Sequence, residues 1–413
     1  MRRPLREDAE GIVRQAIEEN LPGTAVREAL RDFEPPEGRL VLVAIGKAAW
    51  RMAKEAKEVL GDALEGGLVI TKYKHVMGPI EGVRCLEAGH PVVDAAGVAA
   101  TQEAVALANS LGEGDLMLFL VSGGGSALFE DPAIPLAELA DITRQLLARG
   151  ASIDEINCVR KHLSNVKGGR FAELCAPAPV LAIALSDVLG DALDTIASGP
   201  CYPDATTSED ARAICERYGI ALSDEARVTI GRETPKELDG VTTRICGSVR
   251  LLAESARRQA EERGYETCML TSSLDCEARE AGRVLGAIAR DHAKDGRDLA
   301  WIMAGETVVH LLGEGLGGRN QEFALAAAPY LRGLEGACVI SVGSDGTDGP
   351  TDAAGGYVDG HTVDALAAEG LTVDGVIATS DSHHALAQIG GLVVTGATGT
   401  NVNDIALALV RGA

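Results

Sequence analysis

The chain has 413 residues, 46% hydrophobic and 24% charged, and no apolar run approaches the roughly 18 residues that a bilayer-spanning helix needs. This excludes an integral helical membrane protein and makes two domains the expectation. A formal net charge of −23 without any offsetting Lys/Arg run excludes nucleic acid as a partner, because its phosphates would be repelled.

The nine cysteines include no Cys-x-x-Cys pair, so neither a disulfide framework nor a zinc site is expected. The basic N-terminus leads straight into an acidic, helix-patterned segment with no apolar signal core, which points to a cytoplasmic location. In that segment Leu5, Ala9, Ile12, Val13, Ala16 and Ile17 recur at helical spacing. Short, continuously apolar strands then alternate with helices: strand 40–45, helix 48–60, strands 67–71 and 83–88, helix 96–111 and strand 116–121. Helices over 136–148 and 153–174, strand 180–185 and helix 208–218 follow. This is the pattern of a buried parallel sheet, and the fold class is α/β, doubly wound and Rossmann-like in the N-terminal part.

Residues 231–240 are polar, contain a proline and lack apolar periodicity, so they read as a linker, with domains over 1–238 and 239–413. Beyond it come strand 243–246, helix 249–263, strand 267–270, helix 276–291 and strand 299–304. Helix 321–330, strand 337–342, a helical patch at 362–369 and the 379–410 region complete a second α/β domain.

Several polar, Gly-rich segments follow apolar strands, where open α/β sheets bind ligands. Ile45-Gly-Lys-Ala-Ala lacks the spacing of a Walker loop, but Lys47 directly after a core strand reads as a buried ammonium that binds phosphate or carboxylate. In Ser122-Gly-Gly-Gly-Ser, the glycines Gly123, Gly124 and Gly125 let the backbone aim amides at an anion, while Ser122 and Ser126 add hydroxyls. Arg160, Lys161 and Ser164 share a helical face and gather positive charge in an acidic chain. Asp187 and Asp191 follow strand 180–185 and suit either Mg²⁺ or proton abstraction from a hydroxyl.

In the second half, Glu306 follows a strand, and Asp345, Asp348 and Asp352 follow another without EF-hand spacing. Gly317-Gly-Arg-Asn-Gln-Glu opens an Ala-rich helix, so Arg319 and Asn320 stand at a helix N-terminus whose free amides suit an anion. The segment from Thr395 to Asp404 supplies Thr398, Asn401 and Asn403 for hydroxyl or nucleotide oxygens. The adjacent His383 and His384 are not expected to form a metal pair.

These residues carry a family resemblance. Gly46-Lys-Ala, Gly89-His-Pro, Ser122-Gly-Gly-Gly-Ser-Ala-Leu, Arg160-Lys-His-Leu-Ser, Lys167-Gly-Gly-Arg, Ser186-Asp-Val and Ile196-Ala-Ser-Gly-Pro occur in order. Gly305-Glu-Thr, Gly317-Gly-Arg-Asn-Gln-Glu, Asp345-Gly-Thr-Asp-Gly-Pro-Thr-Asp and Asn401-Val-Asn-Asp continue the series. The chain resembles, end to end, the class II glycerate kinases, whose C-terminal half is called the MOFRL domain. Leu189 and Ala397 depart from prolines common in that family.

The resemblance implies ATP-dependent phosphorylation of D-glycerate, usually at the 2-hydroxyl, with Mg²⁺ or another divalent ion. It also implies a mixed α/β MOFRL domain and an active site in the interdomain cleft. Lys47 and Arg319 would bind the substrate carboxylate and the migrating phosphoryl group. Asp187 or Asp191 would take the proton or hold the metal, with Glu306 and Asp345 as competitors. An NAD(P)H-dependent hydroxypyruvate reductase is the rival reading, and a non-catalytic sugar-acid or nucleotide sensor is a third. A monomer and a homodimer are both open.

Overall fold

The computed structural model describes residues 3–186 and 193–412, and its contacts divide the chain into two compact units. One unit spans residues 22–246, and the other joins residues 1–21 to residues 247–413.

In the first unit the strands are β1 (Leu40–Ile45), β2 (Leu64–Lys72), β3 (Val83–Ala88), β4 (Leu116–Val121), β5 (Val180–Leu185) and β6 (Val241–Gly247). They form a six-stranded sheet ordered β3-β2-β1-β4-β5-β6. β1 pairs in parallel with both β2 and β4, as does β2 with β3 and β4 with β5. Every residue of β1 and β5 is buried, which is why these strands read as unbroken apolar runs rather than alternations. The chain order reverses between β1 and β4, creating a topological switch point at their C-terminal ends.

The second unit holds β7 (Glu266–Leu274), β8 (Leu299–Gly305), β9 (Ala337–Gly343), β10 (Gly355–Asp359), β11 (Leu392–Val393) and β12 (Asp404–Val410), ordered β11-β10-β9-β12-β8-β7. This sheet is mixed: β7 and β8 are parallel, whereas β12 lies antiparallel between β9 and β8. In that register Asp404 sits opposite both Gly305 and Gly343, so the loops after β8 and β9 and before β12 meet at one edge.

The expected domain boundaries are corrected in two places. The segment before residue 240 does not leave the first unit: the Gly240 carbonyl accepts from the Val180 amide at 2.9 Å, and β6 follows as an edge strand beside β5. The first helix, Leu5–Glu19, belongs to the second unit. Its Ala9, Ile12, Val13, Ala16 and Ile17 are buried there, and Asp8 accepts from Tyr265 Oη (3.0 Å) and Arg411 Nη2 (2.6 Å). The expected helix over 153–174 is two helices, Ile153–His162 and Arg170–Cys175, because Gly168 and Gly169 adopt positive φ of 58° and 87° between them.

Candidate active site

At the switch point the apolar β4 delivers Ser122 to a turn that leads into the helical turn Gly125–Leu128. Phe129, just beyond, packs with Phe119 and Phe171 at ring-centroid separations of 5.0–5.8 Å, anchoring the turn to the core. Among the described residues, the amides of Gly123, Gly124 and Ser126 donate to no protein acceptor. Successive free amides in a turn whose Gly124 has φ +85° form an oxyanion nest. A side chain on Gly124 would start 3.0 Å from the His90 ring and 3.1 Å from Lys47 Cε, so only glycine leaves both groups leaning over the turn.

The Ser122 hydroxyl, expected to face a ligand, is instead buried within the protein. It donates to the Ile45 carbonyl (3.2 Å) and accepts from the Ala48 amide (3.1 Å), tying the loops after β1 and β4 together. Lys47 is exposed rather than buried, and its ammonium has no protein partner among the described residues.

Arg160 and Lys161 do not act on a common face, since neighbouring helical positions point about 100° apart. Arg160 reaches the turn and donates to the Ser126 carbonyl at 2.7 Å, while the buried Lys161 pairs with Asp204 (3.2 Å) and Asp194 (3.5 Å). Ser164 is buried, its carbonyl held by Arg170 at 2.8 Å. Behind the turn, the fully buried Lys167 donates to the Ser126 and Phe129 carbonyls, each at 2.9 Å. Burial pushes its ammonium down to about 8, in spite of Glu130 at 3.6 Å. The Ser126 hydroxyl accepts from Ser198 Oγ at 3.0 Å.

In the second unit a separate polar cluster occupies the edge where Gly305, Gly343 and Asp404 lie in register. Arg319 opens the helix Arg319–Leu331 and binds Asp404 through Nε (2.5 Å) and Nη2 (3.0 Å), with Nη1 on Glu306 at 2.9 Å. Burial pushes the Asp404 carboxyl up to about 6, and the bidentate guanidinium opposes that rise. The same pair raises Arg319 further above its already high value.

The free helix N-terminus expected here is already capped. The buried Asp348 accepts from the amides of Asn320 (3.1 Å) and Gln321 (2.9 Å) and from Gln321 Nε2 (2.9 Å). A carboxylate is the natural cap for those donors, so no bound anion is needed to satisfy them. Gly318 is required by this cap: a Cβ there would lie 2.3 Å from Asp348 Cγ. Asn320 is likewise buried, accepting from Ser341 Oγ at 2.6 Å. Asp345 accepts from the Thr347 amide (2.9 Å), and Thr398 Oγ1 donates to the Ser344 carbonyl (2.6 Å). Asn401 accepts from the Asn403 amide at 3.3 Å, whereas the buried Asn403 Nδ2 has no acceptor.

Asp187 and Asp191 lie outside the described residues. Among those that are described, no three His, Cys, Asp or Glu side chains gather to hold a metal ion. Sequence reasoning missed His90, Lys167, Asp204 and Asp404 as functional candidates, and it named Asp348 without seeing that it caps a helix. His90 stood in the Gly-His-Pro motif and Asp404 ended Asn-Val-Asn-Asp, but only the strand register reveals what each one meets.

The fold is α/β, with a turn of unpaired amides at the switch point of its first sheet. Residues 8–230 match a family model described as a domain of unknown function (DUF4147), and residues 299–404 match the MOFRL family. The chain is 50% identical to the D-glycerate 2-kinase of Thermotoga maritima, covering 98% of each chain. The crystal structure of a glycerate kinase from that organism aligns with a TM-score of 0.94 over 98% of this chain and 99% of that one. A glycerate 2-kinase of Pyrococcus horikoshii is 39% identical over 98% of this chain and 97% of its own. A putative hydroxypyruvate reductase of Agrobacterium vitis is 40% identical over 91% and 88%. The chain belongs to the class II glycerate kinase family, of which the MOFRL domain is the C-terminal part.

Proposed function

We propose that this protein transfers the γ-phosphoryl group of ATP to D-glycerate, at the 2-hydroxyl. The observation that carries the reading is the end-to-end similarity to a D-glycerate 2-kinase at half of all positions. The site chemistry supports it. Phosphoryl transfer needs positioned donors for phosphate oxygens, and the free amides of Gly123, Gly124 and Ser126 beside an unpaired Lys47 meet that need. Lys47 would neutralise charge on the migrating group, and Arg160 and Lys167 would hold the turn's carbonyls so that its amides face outward.

Among the second unit's residues, Arg319 still carries one unused N–H on each of its two terminal nitrogens, and Asn403 carries an unpaired carboxamide donor. These are the groups there that we assign to substrate or nucleotide, together with Thr398, Asn401, Asp345 and Glu306. A divalent ion, Mg²⁺ in this reading, would enter with the nucleotide and supply charge neutralisation. Asp348 and Asp404 are already engaged by protein donors, which leaves Asp187 and Asp191 as the proposed carboxylates.

The reductase reading is disfavoured by the turn after β1. In a sheet of this strand order that turn carries the Gly-x-Gly-x-x-Gly dinucleotide fingerprint, whereas here it reads Gly46-Lys-Ala-Ala. Incubating the purified protein with ATP-Mg²⁺ and D-glycerate, and separately with NADH and hydroxypyruvate, decides between them. Phosphorus NMR of the first mixture should show 2-phosphoglycerate, and the second should leave NADH unconsumed. Lys47→Ala should lower kinase turnover by about a hundredfold.

A further inference from the structure

Three side chains at the C-terminal edge of the first sheet have no protein partner, although carboxylates stand close by. Lys47 follows β1, Lys72 is the last residue of β2, and His90 follows β3. Among the described residues, neither ammonium has an ion pair and the His90 ring has no hydrogen bond. They are near one another: Lys47 Cε and His90 Nε2 lie 3.1 and 3.0 Å from the same point above Gly124, and the charges of Lys47 and Lys72 both act on the imidazole.

The neighbouring carboxylates are already engaged. Asp94 caps the helix Ala95–Ala108 by accepting from the Gly97 amide (2.8 Å) and also takes the Tyr73 hydroxyl (2.7 Å). Glu87 accepts from the amides of His75 (3.0 Å) and Val76 (2.9 Å), and the His75 ring meets the Tyr73 carbonyl at 3.1 Å. In a chain of net charge −23, two lysines and a histidine without a carboxylate partner leave a local positive patch suited to an anion.

We propose that Lys72 and His90, with Lys47, form the subsite that binds the carboxylate of the acid substrate. This rests on the glycerate kinase reading and sharpens it. In a 2-hydroxy acid the reacting oxygen sits on the carbon that bears the carboxylate. An acceptor oxygen must come within about 3–3.5 Å of the phosphoryl group. A carboxylate subsite that directly borders the Gly123–Ser126 nest therefore presents the 2-hydroxyl, and not the more distant 3-hydroxyl, to a phosphoryl group held there. Lys72 and His90 are specificity-determining residues in this scheme: they hold the end of the molecule that does not react.

The test is steady-state kinetics of Lys72→Met and Lys72→Arg beside the unaltered protein. Losing one charge-assisted contact should raise KM for D-glycerate about tenfold to a hundredfold. The kcat and the KM for ATP should stay within about threefold, and Lys72→Arg should recover most of the loss. A rise in KM for ATP instead, or no change in either constant, overturns the subsite. Absence of any glycerate phosphorylation by the unaltered protein overturns the functional reading alone. Calorimetric titration with D-glycerate then still decides the subsite, which fails if Lys72→Met binds the acid as tightly as the unaltered chain.

Discussion

Asp404 and Arg319 meet through both carboxylate oxygens, yet the carboxyl is so enclosed that its proton affinity rises to about 6. The folded protein thus holds that proton more tightly than the unfolded chain does. This group's contribution to stability is fully present below the ordinary carboxylate range and is lost as pH rises through about 6. Carbon-13 NMR of the Asp carboxyls should find one titrating near 6, and Arg319→Met should move it higher by removing the opposing cation. An Asp404 midpoint in the ordinary range would contradict the burial argument. At this scale the sequence drew attention to residues whose signal is local, such as Lys47, which is exposed and not buried as expected, and the triple-glycine turn. It named Asp348 only as one of several carboxylates after a strand and did not single out Asp404, because a carboxylate in a polar loop looks alike whether it caps a helix, pairs with an arginine or faces water.

The helix Arg319–Leu331 shows the same limit one level up. Its existence followed from an Ala-rich run after Gly-Gly, but its start is fixed by Asp348, which lies 27 residues beyond Gln321 in the chain. Replacing Asp348 with Ala should remove the cap and strand two buried amides, a loss of about 2–4 kcal/mol. Hydrogen exchange should then show the amides of Asn320 and Gln321 losing protection before the rest of the helix. Unchanged exchange there would assign the cap to another group. Strands β1, β4 and β5 were legible to the residue because each is a continuous apolar run between polar breaks, and the bounds of β3 were also met although Arg84 and Glu87 interrupt it. β10, Gly-Gly-Tyr-Val-Asp, was not read, since two glycines and two apolar residues give no period to detect. β6 was seen as a strand but placed in the wrong unit, because its half-exposed edge pattern does not say which sheet it borders.

For the chain as a whole, the first unit is an insertion between residues 21 and 247 of the second. Expressed alone, residues 22–246 should give a cooperatively unfolding domain by circular dichroism. Residues 247–413 should not, because the apolar face of Leu5–Glu19 completes their core; fusing residues 1–21 back through a short linker should restore folding. A cooperative transition for 247–413 by itself would show the first helix to be dispensable. The composite unit was invisible to a linear reading, which assigns each helix to the strands that follow it.

That arrangement imposes a schedule on synthesis. The first helix leaves the ribosome with its apolar stripe uncovered, while the last strand against which its unit closes, β12, lies almost 400 residues later. At translation rates of about 5–20 residues per second the stripe waits roughly 20–80 s for its partners. Once residue 246 has emerged the nascent protein carries one completed lobe and one unfinished one, so the first helix is where a holding chaperone would find its binding site.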